Sequence, residues 1–563
     1  MNLSKNSLNS QRFFSRFKAS FIPNGIERRL SYTPYRILSS SYNTKATAID
    51  CEADKLTYEV PFTSVSYPYY KRDPKFKKIT PEDIHYFKSI LPPEGVLVAD
   101  GVQITEDDLT PYNQDWFKSY RGKSQVILKP YTTKQVSNIM RYCNTERLAI
   151  VPQGGNTGAV GGGVPIFDEI IVNTSNLNRI RKFDSLAGVI LCDSGCVLEH
   201  LDNYLAERGY IVPLDLGSKG SCQIGGNVST NAGGIRLLRY GALHENVLGL
   251  EAVLADGTII DGLSTLRKDN TGYDVKQLFI GSEGTLGIVT GVSLLTPKRP
   301  KAVNVALVGL ESYENVQSAF LRAKEDLSEV LSAFEFWDAR SMYYGKALGS
   351  KKFRVPFERE YPFYVLVETS GSNSDHDSEK LGHLLEGLLE DNFVKDGVVA
   401  QDRTQYTNLW SIRESLGEAC GAPVPIYKYD ISLPVPVLYN IVEDLRQRLI
   451  ECGMLGPHGP VSDVVGFGHI GDGNVHLTVF AKEFSPKVKS LIEPYVYEWT
   501  SQYQGSIAAE HGLGIKNSEY IGYSKTPAMV NMMRKIKRML DPSGILNPYK
   551  VFHDISESQP TQQ

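Results

Sequence analysis

Three glycine-rich stretches between Gln153 and Gly291 constrain this chain more than any other feature. The first, QGGNTGAVGGGVP (Gln153–Pro165), holds six glycines in 13 residues; the others are GSCQIGGNVSTNAGG (Gly220–Gly234) and GSEGTLGIVTG (Gly281–Gly291). Glycine weakens helix and strand interiors, so such clusters read as loops where the backbone turns tightly or lies close to a ligand. Backbone N–H groups brought that close suit a phosphate. One such loop is equally a tight turn in a β-rich domain. Three together point to a large anionic cofactor approached by the main chain several times. None contains GxxxxGK[ST], and none is a GxGxxG opening a helix in a short βαβ unit with an acid about 20 residues on. The pattern therefore argues against a P-loop nucleotidase and against a Rossmann dinucleotide site.

Apolar residues are 41% of the 563 and charged residues 22%, the balance of a folded globular protein. No run of about 18 apolar residues marks a transmembrane segment. Residues 50–119 read as an N-terminal extension packed on the first domain. Strand-like runs at Gln125–Leu128, Ala149–Pro152, Glu169–Asn173 and Val189–Leu191 then surround helix-like runs at Thr133–Arg147 and Leu198–Arg208, and Glu251–Asp261 reads as a hairpin. Past Pro300 the glycine clusters stop. Strand-like Val303–Val308, Tyr364–Glu368, Ile426–Ser432, Val464–Gly468 and Val475–Phe480 alternate with helix-like Glu314–Asp326, Glu379–Asp391, Thr404–Ala419, Val437–Cys452 and Lys487–Tyr503. This predicts an α+β protein: a glycine-loop domain over 120–299, a second α+β domain over 300–520 with helices on one face of its sheet, and a C-terminal segment over 521–563.

The charge is uneven. Met1–Ile49 carries eight basic residues and one acid, Glu27, whereas the remainder carries 52 basic and 63 acidic residues. The segment is Ser-rich, and Phe13, Phe17 and Phe21 recur every four residues beside Arg12 and Arg16. It reads as a mitochondrial transit peptide over residues 1–49, with a disordered basic tail as the plainer alternative. The acidic remainder argues against a nucleic-acid partner. Seven scattered cysteines with no CxxC pair argue against a disulfide scaffold and a cysteine zinc site.

The string PQGGNTGAVGGGVP resembles the pyrophosphate loop of vanillyl-alcohol-oxidase-type (PCMH-type) FAD proteins, and IGGNVSTNAGG and GSEGTLGIVT resemble that family's other flavin segments. The likeness runs from about residue 120 to about residue 553. More narrowly the chain is similar to mitochondrial D-2-hydroxyglutarate dehydrogenases and to FAD-linked D-lactate dehydrogenases. The resemblance implies a PCMH-type FAD-binding domain, then an α+β substrate domain whose C-terminal segment returns to the flavin. It implies non-covalent FAD, since Gln153–Pro165 has no His or Cys to carry a link. Pro152, Gly154, Gly155, Asn156, Thr157 and Gly158 are then expected around the pyrophosphate. Gly225, Gly226, Asn227, Ser229, Gly281, Glu283 and Ile288 are expected around the ring portions, with Asn547 on the returning segment.

GFGHIGDGNVH sets His469 and His476 seven residues apart around a Gly-Asp-Gly turn, and a hairpin there brings both imidazoles to one end of two strands. Neutral imidazoles at one point are zinc-type ligands, and Glu510 in AAEHGLG completes a His₂Glu set that leaves a position open. Two turn histidines that only hydrogen-bond are the plainer alternative. The family pattern matches both strings and favours the metal, Zn²⁺ or another divalent cation. His85, His200, His244, His376, His383, His458 and His553 have no such context. By resemblance, Arg413 on a helix and Lys428 on a strand hold a substrate carboxylate, although sequence alone allows solvated positions for both. Two departures bear on substrate choice. Gly417 stands where some relatives carry Thr, and Thr478 stands where GNxHLN carries Asn.

The implied reaction is oxidation of D-2-hydroxyglutarate to 2-oxoglutarate, with His511 as general base, Glu510 on the metal and hydride transfer to flavin N5; the reverse roles of Glu510 and His511 stay open. The acceptor resembles an electron-transfer flavoprotein or cytochrome c, the matrix fits better than the intermembrane space, and a homodimer is allowed. Three rivals stand: a D-lactate dehydrogenase of the same fold, a flavin-fold protein without catalysis, and a metallohydrolase, which has no use for three glycine-rich loops.

Overall fold

The strand Leu331–Asp338 is buried along its whole length, and so is Asn474–Ala481. A strand buried on both sides needs cover on both faces of its sheet. A computed structural model of the protein describes residues 60–349, 353–456 and 458–552 and shows that cover. The basic segment 1–49, Cys51 and His553 lie outside the described residues.

Seven antiparallel strands form the sheet, in the order Asp396–Val399, Ala302–Leu310, Phe363–Gly371, Leu331–Asp338, Val461–His469, Asn474–Ala481, Ile426–Ser432. One face packs on helices Tyr313–Asp326, Ser374–Glu390, Asn440–Glu451, Pro486–Ile492 and Tyr495–Gln502 through a core that includes Phe334, Val367, Leu384, Leu445 and Leu477. Burying one such leucine contributes about 1.5–3 kcal/mol, and Leu384→Ala costs about 2–5 kcal/mol once its cavity is counted. The other face carries helices Ala339–Leu348 and Arg403–Ala419, joined to it by Trp337, Tyr364, Leu409, Trp410 and Phe467. Helices therefore cover both faces, not the single face expected. Residues at alternate strand positions point oppositely, so one sequence feeds both cores. Lys487–Tyr503, predicted as one helix, is two, because Pro494 has no N–H with which to continue the first.

The glycine-rich half holds two smaller sheets. Val96–Val98, Val126–Leu128, Ile170–Asn173 and Ile150–Gln153 form one, in that order, parallel except for the first pair. Its helix Thr133–Glu146 begins at a Thr132–Gln135 capping box, buries Val136, Ile139, Met140 and Cys143 at helical spacing, and ends at Arg147 with φ +55°. Phe76, Phe87 and Leu91 of the N-terminal extension share that core. The second sheet is antiparallel, in the order Ile180–Asp184, Val189–Asp193, Ile288–Leu295, Val247–Val253, Ile259–Gly262. The glycine stretches join these strands, and the second also contains the short helix Ile224–Thr230.

After the helix Pro527–Leu540 the chain turns back. Ile150 N–H donates to Ile545 O and Asn547 N–H to Ile150 O, at 2.8 and 2.7 Å, so the C-terminal segment is laced to the strand that enters the first glycine loop.

Candidate active site and metal centre

Strand register assembles the site. Glu335 pairs with His469, and His469 with Asn474. Phe467 pairs with His476, and His476 with Asp430; Thr478 pairs with Lys428. Partners in a ladder share a face, so four strands deliver Glu335, His469, His476, Asp430, Thr478 and Lys428 to one side of the sheet. It is the side that carries the helix of Arg413. The turn between the histidine strands closes at Gly473, with φ +71°. A Cβ there would also lie 2.5 Å from Leu433 O, so glycine is required on both counts.

At the end of these strands His469 Nε2 lies 3.4 Å from His476 Nε2 and 3.5 Å from Glu510 Oε1. The candidate ligand atoms of the three residues lie within 4.8 Å of one another. Glu510 Oε1 is buried and has no hydrogen-bond partner among the described residues. Two ring nitrogens and a carboxylate oxygen facing one point without a donor between them fit a divalent cation. Carboxylates stand behind them. Glu335 lies 2.8 Å from His469 Nδ1, while Asp430 lies 3.4 Å from His476 Nδ1 and 3.3 Å from His511 Nδ1. Outer carboxylates of this kind fix the tautomer and aim the other nitrogen. His511 also falls with Asp430 and Glu510 in a second such group.

The electrostatics separate the three imidazoles. Burial opposes charge on His469, but Glu335 outweighs it and raises that group to about 9. Burial lowers His476 to about 3 and His511 to about 4, with Asp430 only partly offsetting it. Burial raises Glu510 to about 7. Burial works against charge on Asp430 as well, yet His511, His476 and the Glu510 N–H at 2.8 Å hold that carboxyl well below its usual range.

The glycine loops line an open cleft. Pro152, Gly154, Gly155, Asn156, Thr157, Gly158, Gly225, Gly226, Asn227, Ser229, Glu283 and Ile288 all border it, and so does His511. A Cβ at Gly158 or Gly226 would meet no protein atom within 4 Å, so a side chain there would occupy the cleft instead. A Cβ at Gly155 would lie 2.0 Å from Ser221 O, because the first two glycine stretches touch backbone to backbone. Asn227 Oδ1 is buried without a partner among the described residues. A main-chain-lined cleft with an orphaned amide oxygen fits FAD.

Two of the expected cofactor residues sit outside this lining. Gly281 N–H donates to Val228 O, tying the third stretch to the short helix of the second. Asn547 supports the cleft from behind, its Nδ2 donating to Gly162 O at 3.0 Å and to Glu283 O at 2.7 Å. Glu283 has a second task. Its carboxylate accepts from Leu513 and Gly514 N–H, both at 2.8 Å, and so ties the flavin segment to the loop of His511.

A second, open cavity borders Lys428 and His511. Arg413 borders neither space. It is 7% exposed, its Nε donates to Glu335 at 2.8 Å, and its guanidinium lies over the Phe467 ring. Thr478 is fully buried with its hydroxyl 3.5 Å from the Cys420 thiol. Gly417, one turn beyond Arg413, is exposed, and a Cβ there would meet nothing. Sequence reading passed over Glu335, Asp430 and Lys516. The signal for the first two was an acid inside an otherwise apolar strand, in FEFW and KYDIS.

The chain matches two family models, an FAD binding domain over residues 124–262 and the C-terminal domain of FAD linked oxidases over 299–551. A mitochondrial protein of Schizosaccharomyces pombe, provisionally named a D-lactate dehydrogenase, is 52% identical over 92% of this chain and 98% of its own. The mitochondrial D-2-hydroxyglutarate dehydrogenase of Danio rerio is 53% identical over 85% and 86%. A D-2-hydroxyglutarate–pyruvate transhydrogenase of Saccharomyces cerevisiae is 46% identical over 87% and 98%. Among solved structures, p-cresol methylhydroxylase superposes with a TM-score of 0.66 at 15% identity, over 84% of this chain and 98% of that one, which speaks to the fold alone. Among the described residues no helix is long and apolar enough to cross a membrane. With two flavin-family models and relatives near half identity along most of its length, the chain belongs to the PCMH-type FAD-linked oxidases, the family that contains the D-2-hydroxyglutarate dehydrogenases.

Proposed function

We propose that the protein is a mitochondrial dehydrogenase that oxidises a D-2-hydroxy acid, D-2-hydroxyglutarate foremost, to the 2-oxo acid. One observation carries this reading: His511 borders both the glycine-lined cleft and the cavity of Lys428, while its neighbour Glu510 faces His469 and His476. When bound, FAD supplies a hydride acceptor at N5, and a divalent cation held by His469, His476 and Glu510, zinc by the donor set, supplies a Lewis acid.

The chain's own groups do the rest. His511 is neutral at pH 7 because burial keeps it near about 4, so its ring can accept the substrate hydroxyl proton. Asp430 faces its Nδ1 at 3.3 Å, favours a proton there, and leaves Nε2 as the acceptor. Glu335 and Asp430 aim the two ligand histidines. Arg413 keeps the Glu335 carboxylate charged and in place, and Lys428 presents an ammonium to the substrate cavity. The domain limits near residues 120, 300 and 520 separate the flavin cradle, the substrate face and the returning segment in this scheme.

The electrons pass to an electron-transfer flavoprotein or to cytochrome c. A second reading, favoured by the yeast transhydrogenase relative, is that a 2-oxo acid takes them in the same cavity. The test is anaerobic mixing of the yellow protein with D-2-hydroxyglutarate or D-lactate. Loss of absorbance near ~450 nm supports the assignment, and its persistence with every D-2-hydroxy acid refutes it. Recovery of the colour on adding pyruvate selects the second reading.

A further inference from the structure

A third cavity, between the flavin-binding and substrate halves, has no part in the chemistry proposed above. It borders Glu510, Asp472 and Asn474 on one side and Asn231, Gly233 and Arg236 on the other. Glu510 borders neither the glycine-lined cleft nor the cavity of Lys428, which meet at His511 instead. Residues 231–234 of the wall are half-buried, so the space is within reach of solvent. Flavin and substrate can fill their own spaces while Glu510 stays approachable from this one.

Its lining is rich in acceptors and short of donors. Asn474 is 2% exposed, and its Nδ2 donates to Asp430 Oδ1 at 2.8 Å and to Ile431 O at 3.1 Å, while its Oδ1 is buried without a partner among the described residues. Asn231 Oδ1 and Glu510 Oε1 are in the same condition. The Asp472 carboxylate accepts the Asn474 N–H at 3.2 Å and has no lysine or arginine in ion-pair range among the described residues. Arg236, the guanidinium on the wall, is engaged by two carboxylates, Asp215 and the fully buried Glu368. Buried oxygen acceptors without donors are costly unless water or a cation meets them. Oxygen atoms beside a net negative charge attract a hydrated divalent cation. The approach to the ligand atom is kept clear by Gly233, since a Cβ there would lie 2.8 Å from Glu510 Cγ and 2.9 Å from Oε1, the atom that faces His469. The charges of Asp472, His469 and Glu510 also act on one another, so the outer carboxylate is felt at the ligand set.

We infer that this cavity is the route by which the divalent cation reaches His469, His476 and Glu510, and that Asp472 is the carboxylate that draws it in. The inference rests on the ligand set proposed above. It makes exchange of the cation independent of the spaces that flavin and substrate occupy.

The test mixes the FAD-loaded, metal-stripped full chain with Zn²⁺ in a stopped-flow instrument, a chromogenic indicator reporting the free ion. Asp472→Asn keeps the acceptor of the turn and removes the charge, with Asp472→Ser in case the first is insoluble. Association is expected to slow roughly tenfold at low salt, and the difference from the parent is expected to shrink at high salt. Dissociation into excess chelator is not expected to speed up, because the three ligands are untouched. Asn231→Asp adds a carboxylate to the flavin side of the wall, at a left-handed position (φ +48°) that Asp tolerates, and is expected to quicken association. The kcat of the fully loaded variants is expected to stay within about threefold of the parent. An unchanged association rate in Asp472→Asn, or a weaker affinity carried wholly by faster dissociation, overturns the inference and leaves the cavity a water pocket. Failure of the parent to bind Zn²⁺ at all instead refutes the ligand set, and the route with it.

Discussion

The Glu335 carboxylate lies 2.8 Å from His469 Nδ1, although 134 residues separate the two in sequence. Adjacent strands bring them together, and Arg413 Nε at 2.8 Å occupies the remaining side of the carboxylate. The contact makes Nδ1 the donor to Glu335, so the proton that leaves on metal binding is the one on Nε2, which is aimed at His476 and Glu510. Removing the charge while keeping the shape weakens that preference. Glu335→Gln is expected to lower affinity for Zn²⁺ about 10–100-fold, as outer carboxylates of metal-bound histidines generally do. Competition with a chromogenic chelator measures it, and an unchanged affinity means that Glu335 is structural only.

Cation binding and protons are coupled at this point. Burial holds Glu510 up to about 7, and Glu335, against the opposing effect of burial, holds His469 up to about 9. Both must shed a proton before they ligate. The free protein therefore binds more protons than the metal-loaded one between pH 6 and 8, and affinity must rise with pH. The expected slope is about tenfold per pH unit for each proton released. Calorimetry in two buffers of different ionisation heat counts those protons; a count of zero contradicts the assigned ligands.

The flavin cradle was legible because its signal is local. Glycine clusters mark the loops, and the strands that flank them alternate or run apolar over short windows. The pairing of His469 with His476 was legible through the turn GHIGDGNVH, whose two histidines are close in sequence. What escaped depends on distant pairing. Leu331–Asp338 is a central strand, yet LSAFEFWD mixes Ser332, Glu335 and Asp338 into its apolar pattern, and all three are buried. Each acid has a partner on another element: Glu335 has His469 and Arg413, and Asp338 accepts from Ser341 N–H and from the Tyr439 hydroxyl. Polarity inside a core makes sense only once those partners are known. Helices on both faces of the large sheet were missed for a related reason, since helix periodicity says which side of a helix is buried and not which face of the sheet receives it.

His511 carries a prediction about pH. A proton acceptor works only while unprotonated, and burial keeps this imidazole near about 4. The rate of flavin reduction by D-2-hydroxyglutarate is thus expected to stay flat from pH 8 to about pH 5 and to fall below that. His511→Asn is expected to lower the rate roughly 10²–10⁴-fold and to abolish that acid limb. Stopped-flow reduction at several pH values is the measurement. A parent limb near pH 6.5, the ordinary histidine value, would falsify the buried-base assignment.

Asn547 tests whether the returning segment holds the cradle. Its side-chain amide donates to Gly162 O in the first glycine loop and to Glu283 O in the third, and Lys550 Nζ donates to its Oδ1 at 2.6 Å. The residue is 2% exposed, so Asn547→Ala leaves two part-buried carbonyls without this donor, at up to about 1–3 kcal/mol for each. Those carbonyls belong to two different loops of the cleft, so the cost falls on their spacing. FAD affinity is expected to fall roughly 10–100-fold, read as the rise in flavin fluorescence on dilution as cofactor is released. Gly417→Ala is the control for general stability. It lies in an exposed helix interior where the new methyl meets nothing, and it should stabilise the fold by about 1 kcal/mol without changing FAD release. Equal FAD retention by Asn547→Ala and the parent would show that the glycine loops keep their spacing without the C-terminal segment.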